Sequence, residues 1–286
     1  MKRTSLSVSC LVGALLLGAL PAHHARADAL SLDGVDDWVS FVGTGVPVGN
    51  APFTIGAWIN PTSIPGGGEN GGTMTFWGDQ SGNEANGFRL RGAAGTRHYF
   101  WGNDHDENFG IDILPDNTGP FGNGWHHLAI TWDGTQTNWY WNGNPLGNPR
   151  NAVGVNVAAA NYRIGSRLNA EFFHGLIDEV SIWNVPLDAP TIAAGFTQGI
   201  DAGNPAVSPF LVAYWNFENG LVDVAGGDNN GTANGGALVA AGVNAPITVI
   251  PEPSSIVLVV LGGLMLLFSR QWRLRRVLAP AREQTS

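Results

Sequence analysis

Residues 125–147, WHHLAITWDGTQTNWYWNGNPLG, decide how the rest of the chain is read. The first half alternates. His126, Leu128, Ile130 and Trp132 fall on one side of an extended segment, and Trp125, His127, Ala129 and Thr131 on the other. The second half is aromatic and reverses at Asn142-Gly143, a pair that accepts the two positive φ angles of a tight hairpin. Two alternating runs around such a turn predict paired antiparallel strands.

The same signature recurs along the chain. In DWVSFV, Trp38 and Ser40 alternate with Val39 and Phe41. FTIGAWI puts Phe53, Ile55, Ala57 and Ile59 on one face and Trp58 on the other. GLIDEVSIWN sets Leu176, Asp178, Val180 and Ile182 against Ile177, Glu179, Ser181 and Trp183, and LVAYWNF is a late run of β-formers. Only residues 187–196 read as a short helix, with Asp188 as its cap. Short strands between turn signals predict an all-β antiparallel sandwich or barrel.

The two ends have a different character. Lys2 and Arg3 precede an apolar run over residues 6–20, and Ala25 and Ala27 offer the small residues a signal peptidase inspects. Residues 1–27 therefore read as a secretory signal peptide, cleaved after Ala27. Near the other end, residues 254–269 are uncharged and predict a membrane helix of roughly 24 Å. Arg270, Arg273, Arg275 and Arg276 stop it on the cytoplasmic side, leaving 277–286 as a cytoplasmic tail. Pro251, Glu252 and Pro253 stand just outside the membrane. A Pro-Glu-Pro triplet, a short apolar helix and clustered arginines, in that order, resemble the PEP-CTERM sorting signal, here 251–276. That resemblance implies recognition and removal of the helix by exosortase, and delivery to the surface or matrix of a Gram-negative bacterium.

Between the ends, the exported piece is acidic. Residues 28–250 hold six arginines and no lysine against twenty-one acidic residues, a formal charge of −15. Such a balance argues against nucleic acid as a partner. The single cysteine, Cys10, lies in the signal peptide, which excludes disulfides and thiol catalysis from the exported domain. The Gly- and Ala-rich residues 237–250 read as a linker to the sorting signal.

Five blocks in order resemble laminin G-like domains of the concanavalin A-like sandwich group, which includes pentraxins: ALSLDGVDDWVSF, FTIGAWINP, WHHLAITWDGTQTNWYWNGNPLG, YRIGSRLNAEFFHGLIDEVSIWNVPL and VAYWNFENGLVDVAGGDNNGTANGG. The resemblance covers residues 28–236 and implies a jelly-roll sandwich. It also implies that the neighbourhoods of Asp33, Asp36 and Asp37 and of Asp178 and Glu179 lie close together. Calcium held by Asp33 and Asp178 is then one reading, and hydrogen bonding of an inward-pointing Asp178 to backbone amides is the other. The acidic loop that holds calcium in pentraxins is reduced here to Glu171.

Other candidates are weaker. DHDENFGID, residues 104–112, fails the EF-hand template and reads as a solvated loop. Adjacent His126 and His127 point to opposite faces of a strand, and His98 and His105 read as loop-borne, so no zinc site is predicted. Glycosidases of this fold carry Glu-x-Asp-x-x-Glu, but around Asp178 the outer positions are Leu176 and Ser181. Trp38, Trp58, Trp132, Trp183 and Trp215 read as core, whereas Trp77 and Trp101 end strands at loops and are the candidate ligand-binding aromatics. The sequence thus predicts a non-enzymatic, exported domain that binds a glycan or a protein. A purely structural matrix component and a divergent glycosidase are the alternatives.

Overall fold

A computed structural model describes residues 28–63, 72–79, 84–91, 95–101, 105–109, 124–200 and 208–247, with the backbone alone over 91–109. The expected signal peptide, the Pro251–Glu252–Pro253 motif, the 254–269 helix and the arginine cluster lie outside these residues. Among the described residues no helix is long and apolar enough to cross a membrane.

Among the described residues, fifteen strands make two packed antiparallel sheets, with one α-helix beside them. In chain order the strands are β1 (Asp28–Asp33), β2 (Trp38–Ser40), β3 (Phe53–Ser63), β4 (Thr73–Asp79) and β5 (Glu84–Arg91). Next come β6 (Gly95–Trp101), β7 (His105–Phe109), β8 (His126–Trp132), β9 (Gln136–Trp141) and β10 (Asn144–Asn151). The last are β11 (Arg163–Ile164), β12 (His174–Trp183), β13 (Leu211–Trp215), β14 (Thr232–Asn234) and β15 (Leu238–Ala241), with helix α1 (Ala189–Gln198) after β12. The first sheet runs β10-β9-β8-β3-β12-β1-β15, with β13 also paired to β12. The second runs β14-β2-β11-β4-β5-β6-β7.

The opening stretch folds as its alternation requires. Leu128, Ile130 and Trp132 of β8 enter the core, while Ala129 and Trp125 lie on the outer side. Asn142 and Gly143 take φ of 48° and 77°, the two left-handed angles of the tight turn between β9 and β10. Opposite β8, Phe53, Ile55, Ala57 and Ile59 of β3 face inward to meet Met74, Phe88, Leu90 and Ile164 from the second sheet. Helix α1 starts where expected, with the Asp188 side chain accepting the Thr191 amide at 2.9 Å.

Strand β12 departs from simple alternation. A bulge between Asp178 and Ser181 places Glu179 at φ 52°. Ile177, Val180 and Ile182 therefore face the core, and Asp178 turns to the outer face of the first sheet beside Trp58. The expected linker is also partly folded. β15 pairs with β1, and Ala245 is fully buried against Ala29, Trp58 and Trp125. The domain therefore extends at least to residue 247 rather than ending at 236. Residues 105–109, read as loop, form β7 paired to β6, so His98 and His105 both lie on strands.

Candidate functional site

Three places gather polar or ionisable groups: an acidic cleft beside β1, a buried pair of carboxylates on β12, and the outer face of the second sheet.

The cleft forms where β1 ends. Asp33, Asp36 and Asp37 bring carboxylate oxygens within 4.8 Å of one another, and His174, Thr62 and Gly236 complete the walls. Backbone amides shape the cluster. Asp33 accepts from Val35 at 2.8 Å and Asp36 at 3.4 Å, and Asp37 accepts from Asp33 at 2.9 Å and from Gly236. The Val35 amide leads the causes that hold the Asp33 carboxyl below its ordinary pKa. Gly235 is required here: at φ 67°, a Cβ would lie 2.3 Å from the Asp36 carbonyl oxygen.

The structure does not bring Asp178 to this cleft. Asp33 pairs with His174, so Asp178 lies four residues further along β12, roughly 13 Å away. It is buried beneath the C-terminal segment, where Oδ1 accepts the Glu179 amide at 2.8 Å and Oδ2 the Ala245 amide at 2.9 Å. Two amides and an apolar surround suit a structural carboxyl, not a hydrated cation. Glu179, next to it, accepts from the Tyr214 hydroxyl. Burial, with repulsion by Glu179, pushes the Asp178 carboxyl up; Glu179 also rises, mainly by burial. Glu179 and Ser181 line a cavity of about 160 Å³ under α1, together with Trp58, His127 and Gly195. Burial depresses His127 to about 4, so its ring is neutral. The carboxylates lie beneath α1 and the C-terminal segment, without a Glu-x-Asp-x-x-Glu arrangement.

The second sheet turns a different surface outward. Phe88 and Leu90 of β5 face the core, so Ala85, Gly87, Arg89 and Arg91 take the other face. Cross-strand register sets Trp101, Tyr99 and Arg97 of β6 opposite Ala85, Gly87 and Arg89. Trp101 thus holds a position on the outer face, although its side chain lies outside the described residues. Trp77, the other expected binding aromatic, is instead fully buried. Its indole N–H donates to the Pro47 carbonyl at 2.9 Å, and its ring meets Phe53 edge-on. The β4 bulge near Thr75 turns it inward. Conversely, Trp38 was expected in the core but is half-buried on the outer face, with the Arg163 guanidinium 3.7 Å from its ring centre. The other four expected core tryptophans are buried. Glu171 pairs with Arg89 and, at 2.9 Å, with Arg167.

Two sheets in this order and a helix closing onto the first match a known architecture. A profile described as the concanavalin A-like lectin/glucanases superfamily, of laminin G type, matches residues 33–193. The chain belongs to that superfamily. Among solved structures, a candidate carbohydrate-binding protein of Bacteroides ovatus superposes with TM-score 0.55 and 19% identity, covering 79% of this chain and 62% of that one. A heptameric SAP-like pentraxin of Limulus polyphemus gives 0.49 at 14% identity, covering 76% and 96%. Domain 4 of an extracellular arabinanase from Geobacillus stearothermophilus, in complex with arabinotriose, gives 0.41 at 20%, covering 58% and 74%. At these identities the likeness is one of fold. The chain spans 62% of the Bacteroides ovatus protein's length. No curated protein sequence matches the chain.

Proposed function

We propose that this lectin-type sandwich is a non-catalytic glycan-binding module of an exported protein, presented on the outer face of its second sheet. The observation that carries the reading is the pairing of superfamily membership with aromatic positions at Trp38, Tyr99 and Trp101 on one sheet face. Aromatic rings beside polar side chains are what sugar rings stack on. The buried state of Asp178 and Glu179 supports the non-enzymatic part, since an extended polysaccharide has no access to carboxylates beneath α1 and the C-terminal segment. A glycan array with the wild type and Trp101→Ala tests this: binding lost in the variant supports the site, and no binding to any glycan removes it.

Export and sorting rest on the sequence of the two ends. In this reading signal peptidase cleaves after Ala27, and exosortase acts at Pro251–Glu252–Pro253 before the protein reaches the surface or matrix. Mass spectrometry of surface-released protein should find no peptide from residue 254 onwards. Finding such peptides would overturn the processing. Calcium is the cation of this reading, held by Asp33 with Asp36 and Asp37 rather than with Asp178, because three carboxylates converge there. Saturating calcium at a hundred times its Kd would add about 2.7 kcal/mol. Melting curves that coincide in calcium and chelator would dismiss it.

A further inference from the structure

Between α1 and the first sheet the packing is incomplete, and strand register says why. Gly56 of β3 pairs with Ala129 of β8 on one side and with Ser181 of β12 on the other, so three small residues lie in one row across the sheet. Larger groups bound the row, with Trp58 and His127 at one end and Trp183 at the other. Gly195 of α1 faces the row, three residues after buried Ile192 and on the same side of the helix. A Cβ on Gly195 would meet no atom within 4 Å. The hollow between them is the cavity of about 160 Å³, and exposed Ala194 and Gln198 stand at its rim. An engineered apolar cavity of about 150 Å³ holds one benzene molecule. The hollow under α1 is thus of a size for a single-ring compound and too small for a sugar chain.

Three buried polar groups that line it are short of partners. Glu179 has one carboxylate oxygen engaged, by the Tyr214 hydroxyl, and no cation pairs with it among the described residues. That oxygen, Oε2, is 4.0 Å from where a Cβ on Gly199 would stand, so the carboxyl lies under the C-terminal end of α1. This end is the negative pole of the helix, and no basic residue occupies its last turn. His127 adds an imidazole that burial keeps neutral, and its Nδ1 has no hydrogen-bond partner. The Ser181 hydroxyl reaches only the Gly56 carbonyl, at 3.5 Å. A carboxylate oxygen, a hydroxyl oxygen and an imidazole nitrogen are three acceptors, and a primary ammonium carries three N–H donors. Indole rings accommodate cations and apolar groups alike. We infer that the cavity under α1 binds a small primary amine in its ammonium form, with Glu179, Ser181 and His127 accepting its three hydrogens and Trp58 and Trp183 enclosing its apolar body. The site lies on the other sheet from the proposed glycan face and does not depend on it.

The test titrates the full chain, in neutral detergent, with benzylamine and with benzyl alcohol, its uncharged counterpart, by calorimetry. Benzylamine should bind more tightly by roughly tenfold or more, at about 1.4 kcal/mol per tenfold. Glu179→Gln keeps an oxygen for the Tyr214 hydroxyl and removes the charge, so it should weaken benzylamine by roughly tenfold and spare benzyl alcohol. Gly195→Leu fills the hollow from the helix side, where leucine also favours the helix, and should abolish binding of both compounds while the melting temperature holds or rises. The groups facing Glu179 are Asp178 beside it, Glu218, Tyr214 on β13 and His127 on β8. Burial, then the Glu218 charge, raise the Glu179 carboxyl against the lowering effect of the Tyr214 bond, while His127 and Tyr214 stay neutral. Benzylamine affinity should therefore climb several-fold from about pH 5 to about pH 8 as the carboxyl ionises, and benzyl alcohol affinity should not. Equal affinity for the two compounds, no binding of benzylamine, or benzylamine affinity unchanged in either folded variant would each overturn the assignment. None of these results bears on the glycan array, so the two readings fail separately.

Discussion

The two outer faces of the sandwich differ in how they are finished. On the first sheet, Trp58, Trp125, Trp183 and Tyr214 turn away from the core yet are all buried, under α1, the 208–225 region or the C-terminal segment. Even its ionisable groups, Asp178 and Glu179, are covered and bonded internally. On the second sheet the described outward positions of β4 and β5, among them Phe76, Ala85 and Arg89, are buried too, beside the 165–172 loop, and it is Trp38 on β2 and Arg163 on β11 that are only half-buried. A sheet face that the protein covers itself is spent on stability. The half-buried Trp38 edge of the second sheet is the side on which the glycan-binding proposal rests.

The contrast breaks most sharply at Trp58. Its ring is stacked on Phe196 of α1, centroids 5.2 Å apart, and meets His127 edge-on at 5.5 Å. Trp58→Ala should lower unfolding stability by about 3–5 kcal/mol, read from denaturant midpoints. A cost below 1 kcal/mol would mean that the covered face is not a second core. Next comes the C-terminal segment. Truncation after Gly236 removes β15, the buried Ala245 and the amide that caps Asp178, along with Val243 and Ile247, which pack beside them. Losing about one large side chain's worth of burial should cost about 2–3 kcal/mol. Thermal melting that ignores the truncation would restore residues 237–250 as a plain linker.

These elements also show where sequence reading reaches its limit. Period-two alternation located the core residues of β3 and β8, because nothing interrupts either strand, and Asp188 marked the start of α1. Alternation failed on β12, since a bulge at Glu179 shifts every later residue by one face and has no signature in DEVS. Trp77 reads as a strand-end aromatic beside a loop, but β4 runs on to Asp79 and its bulge turns the ring inward. Trp38 fooled a reading that treats tryptophan as core, because its neighbour on the sheet, Arg163, is 125 positions away in sequence. Gly- and Ala-rich residues 237–250 looked like a tether, yet small residues are what fit against Trp58 and Trp125. Asp223 passed unremarked, although its carboxylate accepts the amides of Tyr214, Ala225, Gly227 and Asn229 at 2.9–3.1 Å and fixes the Gly-Gly-Asp-Asn-Asn loop.

A pH series sharpens the covered side. The Asp178 and Glu179 carboxyls are raised in the fold above their unfolded values, so burial favours their protonated forms. Their contribution is present in full below the unfolded carboxylate pKa, near 4, and is lost as pH rises through the folded values toward neutrality and beyond. Asp178→Asn removes the charge and keeps one of the two acceptors, so its slope with pH, not its absolute stability, is the readout. The melting temperature of the variant should therefore gain on the wild type by a few degrees between pH 5 and about 8. Parallel curves across that range would show that the pair is not strained by ionisation.

The smallest effect is expected at Trp38, and its smallness is the point. An arginine over a half-exposed ring contributes about 0.5–1 kcal/mol, so Trp38→Ala should shift the unfolding midpoint by no more than that. If the outer face of the second sheet is a recognition surface, the same substitution should weaken binding to a glycan captured on the array several-fold, since it removes a stacking ring and frees Arg163 from its fixed position. Stability and binding would then respond in the opposite order from Trp58→Ala, which lowers stability far more without touching Trp38 or Arg163. A loss of 2 kcal/mol or more at Trp38, with binding unchanged in the surviving folded protein, would make this face structural as well. The difference between the two sheets would then lie only in what covers them.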